Sequence, residues 1–300
     1  MGEFIPLLTT RDWGAEWVEL QKLRRRADSA AYWDERAHTF GDKDAPNPYV
    51  ERFLELAAVR PGETVLDMGC GTGAIAVPLG LAGHRVVAAD FSEGMLARTR
   101  ENLAARGVQG VETCLLSWGD GREAWEARGL GPCSVDVALA SRSIATDDMR
   151  ESLLRLTDVA RRRACVTLAA GSSPRADERV LAAAGVASVS GRDFLYAFNI
   201  LANEGLKPQV DYIESSRAQT FASREEAFST LAAMVDGATR GLLPEPERAA
   251  AHARLREWLE ADLVENEHAG EPDRKGLPQG AYRLSQPRKT TWAFIAWDKE

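Results

Sequence analysis

The sequence predicts a doubly wound α/β fold with a mainly parallel, seven-stranded sheet and helices on both faces. Two observations support this fold class. Through the middle of the chain, short apolar runs bounded by turn residues alternate with helical segments, a pattern typical of βαβ units and parallel sheets. A glycine-rich turn at 69–73 joins the first apolar run to the helix after it, the place where open α/β sheets bind ligands.

Turn and capping residues divide the chain into elements. Asn47 and Pro48 predict a helix start, because Asn caps a first turn and Pro fits its first position. Apolar runs predict strands at 63–69, 84–90, 111–117, 135–141, 164–170, 209–221 and 290–297. Later helices are predicted at about 74–83, 92–102, 147–162, 175–184, 192–204, 223–236 and 246–265. Pro78 is expected to disturb the first of these.

Four segments follow from this assignment. Residues 1–46, rich in charge and tryptophan, are expected to form an N-terminal helical lid, and 47–222 the Rossmann-like core that binds the ligand. Residues 223–288 form a helical insertion before the last strand, which lies in 289–300. Since hairpin connections usually have about 2–5 residues, the insertion is expected to cap the site, with a peripheral surface subdomain as the alternative.

Composition and charge disfavour several classes of protein. The 300 residues include 45% apolar side chains, enough for a large core, and their net charge of -8 argues against a nucleic-acid partner. No apolar run reaches the ~18 residues of a membrane span, and no signal-peptide pattern is present at the N-terminus. Basic runs at 24–26 and 161–163 are expected to be solvated helix faces or helix C-terminal charges.

The cysteines indicate neither a disulfide framework nor a metal site. None of the four is spaced as CxxC, and no histidine stands near them in a ligand pattern. We expect reduced, buried thiols in a cytoplasmic protein that holds no metal. The four residues are Cys70, Cys114, Cys133 and Cys165.

The segment VLDMGCGTG (65–73) carries the strongest functional signal. Its glycines let the backbone turn tightly and approach a ligand, and the helix after them offers free N–H groups and the positive end of its dipole. Asp90 ends the second strand, where an acidic side chain can accept hydrogen bonds from ribose hydroxyls. Because Gly69, Gly71 and Ala74 also satisfy the dinucleotide pattern G-x-G-x-x-G/A, these residues alone leave the ligand open.

The segment VLDMGCGTG, followed by VVAADFSEGML, resembles motif I and the post-strand-2 motif of class I methyltransferases, which use S-adenosylmethionine (SAM). Asp67 belongs to that pattern, whereas a dinucleotide site does not require it. The resemblance is firm over residues 30–170 and implies SAM as cofactor and S-adenosylhomocysteine as product. It implies that Asp67 orients the loop and the cofactor's amino group and that Asp90 binds the ribose. Further residues would line the cofactor: Gly69, Cys70, Gly71, Gly73, Phe91 and Met95.

The adenine side departs from the family pattern. Many members have an Asp after strand 3, near the adenine amino group, where this chain has Leu116-Ser117-Trp118. We expect Ser117 or its backbone to contact adenine and Trp118 to cover it, with Asp120 as a competing assignment. Phe91 and Met95 would flank the ring, with ordinary core packing as the alternative.

The acceptor is expected beyond strand 4, where the resemblance places Ser141 beside the methyl group. Arg142 would be a cation able to bind a carboxylate or phosphate, or else a partner in an internal salt bridge. The stretch YWDERA (32–37) with Phe40 resembles the WD-x-RA-x-x-F leader helix of many small-molecule methyltransferases. That resemblance makes Tyr32 and Trp33 substrate contacts, with simple packing of the helix as the alternative.

Methyl transfer to a small molecule by in-line displacement is therefore the expected activity. No Asn-Pro-Pro-Tyr follows strand 4, as it does in amino-methylating DNA enzymes. If the reaction needs a catalytic residue, the candidates are Arg142, His38, Tyr196 and Tyr212, of which the lone histidine fits a surface or packing role as well. The alternatives are a protein or RNA methyltransferase, a SAM-binding module without turnover, and a nicotinamide-dependent oxidoreductase.

Overall fold

The computed structural model describes residues 11–24, 29–37, 47–171, 176–187, 191–239, 241, 243–273 and 276–299. The expected base His38 and the leader residue Phe40 lie outside the described residues.

One seven-stranded sheet forms the centre of the molecule. Its strands are β1 (Thr64–Met68), β2 (Arg85–Asp90), β3 (Val111–Leu115), β4 (Val135–Ser141), β5 (Ala160–Ala169), β6 (Gln209–Arg217) and β10 (Arg288–Asp298), in the order β3-β2-β1-β4-β5-β10-β6. The first five strands in this order, β3, β2, β1, β4 and β5, pair in parallel. Strand β10 pairs antiparallel with both of its neighbours, β5 and β6. This arrangement confirms the predicted mainly parallel sheet, and it brings the carboxyl ends of β1, β2 and β4 to one edge.

Helices cover both faces of the sheet. One face carries α3 (Pro48–Ala57), α4 (Ala76–Leu81) and α5 (Glu93–Ala105), and the other carries α1 (Trp13–Arg24), α6 (Arg122–Glu126), α7 (Met149–Val159) and α9 (Asp193–Asn203). Pro78 lies in the first turn of α4, where no backbone N–H is needed, so it does not break that helix. Helix α3 buries Val50, Phe53 and Ala57 on one face, which packs against the sheet.

The N-terminal segment has two separate helices with different contacts. Trp17 of α1 is fully buried, and its indole N–H donates to the Thr146 carbonyl at 2.7 Å. Helix α1 therefore packs as part of the core, although the sequence assigns all of 1–46 to a lid. The second helix, α2 (Ala30–Arg36), lies instead against α5, beside the carboxyl edge of the sheet.

A third hydrophobic cluster combines residues of the 223–288 insertion with residues from two segments before it. It is built on α8 (Glu178–Ala183), α10 (Arg224–Ala238), α11 (Glu245–Asp262) and a small sheet of β7 (Thr220–Phe221), β9 (Tyr282–Leu284) and β8 (Leu263–Glu265). The sequence does not predict this small sheet, and the single strand expected at 209–221 ends at Arg217. Phe221 is buried in the insertion's own cluster, which explains why the chain leaves the main sheet before it. Helix α8 packs in the same cluster, whereas the sequence assigns it to the core.

Two expectations about charged and thiol side chains need correction. Strand β5 begins at Ala160, so the arginines at 161–163 lie on a strand rather than on a helix. Cys133 is exposed, although Cys70 and Cys165 are buried as expected; all four cysteines are free thiols. No helix in the described part of the chain is both long and apolar enough to cross a membrane.

The insertion's core predicts a local loss of stability on truncation. Leu255 is fully buried in the third cluster, so Leu255→Ala should cost about 2–5 kcal/mol through lost burial and the cavity that remains. Urea unfolding followed by circular dichroism measures this cost. The matched control is Leu277→Ala, because Leu277 is 59% exposed and its truncation should change the unfolding free energy by less than about 0.5 kcal/mol. Equal effects of the two substitutions would contradict the packing.

Candidate functional site

Two hydrogen bonds connect the glycine loop between β1 and α4 to strand β2. The N–H groups of Gly69 and Cys70 both donate to the Ala89 carbonyl, at 2.7 and 2.9 Å. Gly69 has φ +75°, and a Cβ there would overlap the side chain of Ser143, whose Oγ donates to the Met68 carbonyl at 2.6 Å. Glycine at 69 is therefore required both by the turn and by the close approach of the chain after β4.

The loop leaves open space at its centre. Gly71 has φ +56°, and a Cβ there would meet no atom within 4 Å. Gly73 has φ +85°, and its Cβ would press on Val77 and Thr99. The loop therefore packs tightly at Gly69 and Gly73 and stays open at Gly71, where backbone alone would face a ligand.

Helix α5 holds the same loop from the other side, through residues that the sequence does not single out. Thr99 Oγ1 donates to the Gly71 carbonyl at 2.7 Å, and Asn102 Nδ2 donates to the Thr72 carbonyl at 2.9 Å. Polar residues buried on the sheet-facing side of a helix are the one signal that could have identified them. Together with the bonds that the Gly69 and Cys70 N–H groups make to Ala89, these two bonds fix the backbone of the loop.

Asp90 sits at the end of β2 with both carboxylate oxygens facing backbone donors. Its Oδ2 accepts from the Gly71 N–H at 2.9 Å and its Oδ1 from the Ser92 N–H at 3.0 Å. Burial raises the pKa of Asp90, while these N–H groups lower it. Each oxygen keeps a lone pair, so the carboxylate can still accept from two hydroxyls of a ligand.

Asp67 on β1 is a buried carboxylate with an unmatched oxygen. The residue is 1% exposed, and Oδ2 has no hydrogen-bond partner among the residues that the structure describes. Burial, and then the negative charge of Asp90, raise the pKa of Asp67 to about 7. An acid in this state is suited to a cationic partner, because a positive charge beside it would remove both penalties.

The side chain of Asp34 attaches the leader helix α2 to this site. Asp34 Oδ1 accepts from Ser92 Oγ at 2.6 Å and from the Gly94 N–H at 2.9 Å, at the start of α5. Ser92 is fully buried, and its own N–H bonds to Asp90. A continuous chain of hydrogen bonds thus runs from the leader helix through Ser92 to Asp90 and the glycine loop.

The expected adenine-side residues lie around the end of β3. The Ser117 N–H donates to Asp120 Oδ2 at 2.9 Å, so Asp120 holds the loop that carries Ser117. Trp118 stacks at a tilt on Trp125, with ring centroids 5.7 Å apart, and its indole nitrogen is buried with no hydrogen-bond partner in the structure. Phe91 directly follows Asp90 and is partly buried.

Two cofactor candidates have little exposed surface. Met95 is 3% exposed on α5, and its N–H donates to the capping Ser92 Oγ. Cys70 is also buried, and burial raises the pKa of its thiol, which therefore stays protonated at neutral pH.

The chain after β4 meets helix α3 through a buried tyrosine. The Tyr49 hydroxyl lies 2.8 Å from Ser141 Oγ and 2.7 Å from Thr167 Oγ1. Burial raises the pKa of Tyr49, so its phenol stays neutral. Arg142 lies over the Tyr49 ring, and Trp292 packs against the same ring. Among these residues the sequence points to Ser141 and Arg142 alone, since Tyr49, Thr167 and Trp292 come from three distant segments.

Two tyrosines proposed as catalytic candidates lie elsewhere. Tyr196 donates to Glu16 at 2.8 Å and stacks on Trp17 between α1 and α9; burial and Glu16 raise its pKa to about 12. Tyr212 is 51% exposed on edge strand β6 and packs edge-on against Phe194.

The expected substrate contacts Tyr32 and Trp33 stack edge-on on α2, with ring centroids 5.4 Å apart. Tyr32 is 40% exposed, and Arg36 lies over its ring.

These features together fit a molecule with a cationic amino group and a ribose. Asp67 offers an unmatched buried oxygen, Asp90 offers acceptors for hydroxyls, and the open face at Gly71 offers room for a chain between them. A nicotinamide dinucleotide would instead place its pyrophosphate beside the buried Asp67, where two like charges meet. These carboxylate acceptors therefore fit SAM better than a dinucleotide.

Comparison with known proteins agrees with this geometry. The family model described as "Methyltransferase domain" matches residues 65–162, which include the glycine loop, Asp90 and Arg142. An uncharacterised protein of Haemophilus influenzae is 30% identical over 206 residues, covering 68% of this chain and 73% of that protein. A solved structure from work on converting a disulfide bond into a thioacetal group during echinomycin biosynthesis is similar in fold, with TM-score 0.50, 17% identity and coverage of 90% and 91% of the two chains.

Two relatives with named activities match over a part of their length. A release factor glutamine methyltransferase of Cereibacter sphaeroides is 41% identical over 91 residues, covering 29% of this chain and 32% of its own length. Nocamycin O-methyltransferase of Saccharothrix syringae is 38% identical over 101 residues, covering 33% and 34%. Since the chain spans about a third of these two enzymes, their acceptors do not transfer to it.

The attachment of the leader helix predicts a measurable local opening. Asp34→Ala removes the acceptor for Ser92 and Gly94, so residues 30–36 should exchange amide hydrogens faster while the sheet is unaffected. The hydrogen bonds from Ser92 and Gly94 lower the pKa of Asp34, so its stabilising effect is present above its ordinary pKa of 3.8 and is lost as pH falls further. Glu35→Ala, one residue along on the same exposed helix, is the control, and identical exchange in both variants would contradict the attachment.

Proposed function

Since the chain belongs to the class I SAM-dependent methyltransferases, with SAM as its cofactor, we propose that it transfers a methyl group to a small-molecule acceptor. The unmatched carboxylate oxygen of Asp67, buried beside an open glycine loop, is the observation that carries the cofactor side of this proposal.

Each cofactor contact is proposed for a residue at the carboxyl edge. Asp67 would accept from the amino group of SAM, and Asp90 from the ribose hydroxyls. Backbone at Gly69, Gly71 and Gly73 would line the methionine arm, with Cys70 closing the loop beneath it. Around the adenine we place Phe91, Met95, Ser117 and Trp118, and beside the methyl group Ser141.

Bound SAM supplies an electrophilic methyl group on a sulfonium. The protein's own contribution is to position the acceptor and exclude water, which can be worth up to about 7–11 kcal/mol of the barrier. Tyr49 stays neutral and is bonded to Ser141 and Thr167, so it orients the edge of the site rather than removing a proton. The leader helix, with Tyr32 and Trp33, is proposed to cover the acceptor, and the 223–288 insertion to form its outer wall.

The charge distribution favours a small molecule over a nucleic acid. One of the two runs of three arginines, at 161–163, is neutralised by carboxylates: Arg161 pairs with Asp136, Arg162 with Glu63 and Arg163 with Asp298. Likewise Arg24 forms a two-pronged ion pair with Asp193. Paired arginines are poor phosphate ligands, and the net charge of -8 repels a polyanion.

Labelled SAM tests the class of acceptor. The protein is incubated with methyl-labelled SAM and with the small-molecule, protein and RNA fractions of a cell extract, and we expect label in the small-molecule fraction. Asp90→Ala should reduce the transfer at limiting SAM, because losing hydrogen bonds to a charged group weakens SAM binding about 10–150-fold. Label in protein or RNA would make the chain a macromolecule methyltransferase. Tight SAM binding without label in any fraction would identify a binding module.

Asp67 predicts a pH signature for SAM binding. In the ligand-free protein its pKa is raised to about 7, and an ammonium group beside it would lower that pKa. Binding near pH 6 should therefore release a proton, and SAM affinity should rise with pH up to about 7 and then level off. Calorimetry in two buffers with different ionisation enthalpies counts the protons. Absence of proton release at all pH values would contradict the contact.

Asp67→Asn is the matched control, since it keeps the shape and removes the charge. The titratable neighbours Asp90, Cys70 and Tyr49 remain in the variant, so any lost proton release belongs to Asp67.

Because the folded-state pKa of Asp67 lies above the unfolded value of 3.8, the wild-type unfolding free energy should fall as pH rises from about 4 to 7. The ligand-free variant should lack this fall, while binding SAM more weakly.

A further inference from the structure

Arg142 is held in one place by two aromatic side chains. Its guanidinium carbon lies 4.4 Å from the centroid of the Tyr49 ring and 5.5 Å from that of Trp292, distances typical of cation–π contacts. The two rings pack edge to face with centroids 6.1 Å apart. Because the Tyr49 hydroxyl is bonded to Ser141 and Thr167, the ring cannot turn away, and the guanidinium lies on a fixed surface.

The backbone of Arg142 is also constrained. Its φ is +61°, a left-handed conformation that is uncommon for residues other than glycine. Its N–H donates to Thr167 Oγ1 at 3.0 Å, which holds this conformation in place. Non-glycine residues in this region of φ/ψ space concentrate at functional sites, where the surrounding structure maintains them.

The guanidinium has no anionic partner among the residues that the structure describes. It forms neither an ion pair nor a hydrogen bond with any of them, so the internal salt bridge considered from the sequence is not found there. By contrast, the arginines at 161–163 on the neighbouring strand all pair with carboxylates. Arg142 is exposed, and none of its side-chain N–H donors bonds to a described residue, so these donors remain available to an anion.

Arg142 lies next to the cofactor loop. The side chain of the following residue, Ser143, fills the space that a Cβ at Gly69 would need, and its hydroxyl donates to the Met68 carbonyl. The preceding residue, Ser141, ends β4 and bonds to Tyr49. A group bound by Arg142 would therefore lie at the carboxyl edge of the sheet, on the side where an acceptor must approach.

We propose that Arg142 binds an anionic oxygen group, a carboxylate or a phosphate, of the methyl acceptor, which makes the substrate a small organic acid or phosphate ester. The inference rests on the proposed methyl transfer to a small molecule and adds the chemical class of that molecule. Tyr49 and Trp292 act as positioning residues, because they fix the guanidinium and touch no substrate.

A direct binding test uses benzoate and inorganic phosphate as probes. Nitrogen-15 labelled protein saturated with S-adenosylhomocysteine is titrated with each anion, and the Nε–Hε resonance of Arg142 is assigned by its loss in Arg142→Ala. We expect this resonance to shift saturably, and the anion that binds tighter distinguishes a carboxylate site from a phosphate site. No saturable shift with either anion would overturn the proposal.

An activity test uses acceptor fractions of a cell extract separated on an anion-exchange resin. Transfer from labelled SAM should occur with the retained, anionic fraction, and treatment of that fraction with phosphatase should abolish it only if the group is a phosphate ester. Arg142→Ala should lower kcat/KM for the acceptor about 10–150-fold with unchanged SAM affinity, and Arg142→Lys should recover part of this loss.

The matched control is Arg85→Ala, which removes an exposed arginine at the amino end of β2, the opposite edge of the sheet. This variant should retain full activity. Transfer to an unretained acceptor at equal rates in Arg142→Ala and wild type would overturn the anion site and leave the proposed function intact. Label in protein or RNA alone would instead refute the proposed function, and the anion titration would then decide the role of Arg142 separately.

Discussion

The site at the carboxyl edge of the sheet depends on a tight backbone turn at position 69, which requires glycine. Its positive φ bends the chain out of β1, and the missing side chain lets Ser143 approach from β4. The same turn lets two consecutive N–H groups share the Ala89 carbonyl of β2. Three strands are thereby joined at one point, and the cofactor side and the acceptor side of the site meet there.

Two buried carboxylates give the edge its chemical character. Asp90 is satisfied by backbone N–H groups, whereas one oxygen of Asp67 has no partner among the described residues. Burying an unmatched charge is costly, so an acid in that position is stable only when protonated or when a cation joins it. The protein thus carries a built-in preference for a positively charged amino group over a second anion near β1.

On the acceptor side the electrostatics are reversed. Arg142 is a cation that rests on aromatic rings and pairs with no described carboxylate, one strand away from the acidic pair. Helix α3 contributes Tyr49 to this side, whereas the leader helix is attached beside Asp90 through Asp34 and Ser92. A small acid that carries its own negative charge would be attracted to this side and repelled from the carboxylates, which would orient it without a base.

The insertion has a hydrophobic cluster that is separate from those on the main sheet. Phe221, Leu231 and Leu255 pack with one another and with α8, not with the main sheet. This separate packing is compatible with the proposed role as the outer wall of the acceptor pocket.

Local signals in the sequence predicted the sheet, the glycine loop and the candidate binding residues Asp67 and Asp90, because strand periodicity, glycine spacing and a carboxylate at a strand end are properties of neighbouring residues. The tertiary structure decided which distant residues meet. Tyr49, Thr167 and Trp292 surround Arg142 only because α3, β5 and the antiparallel β10 lie side by side. Likewise, strand β7 pairs with β9 in a separate small sheet, where Phe221 is buried in the third hydrophobic cluster. Contacts of this kind depend on packing between segments that are far apart in the chain, and no local pattern encodes them.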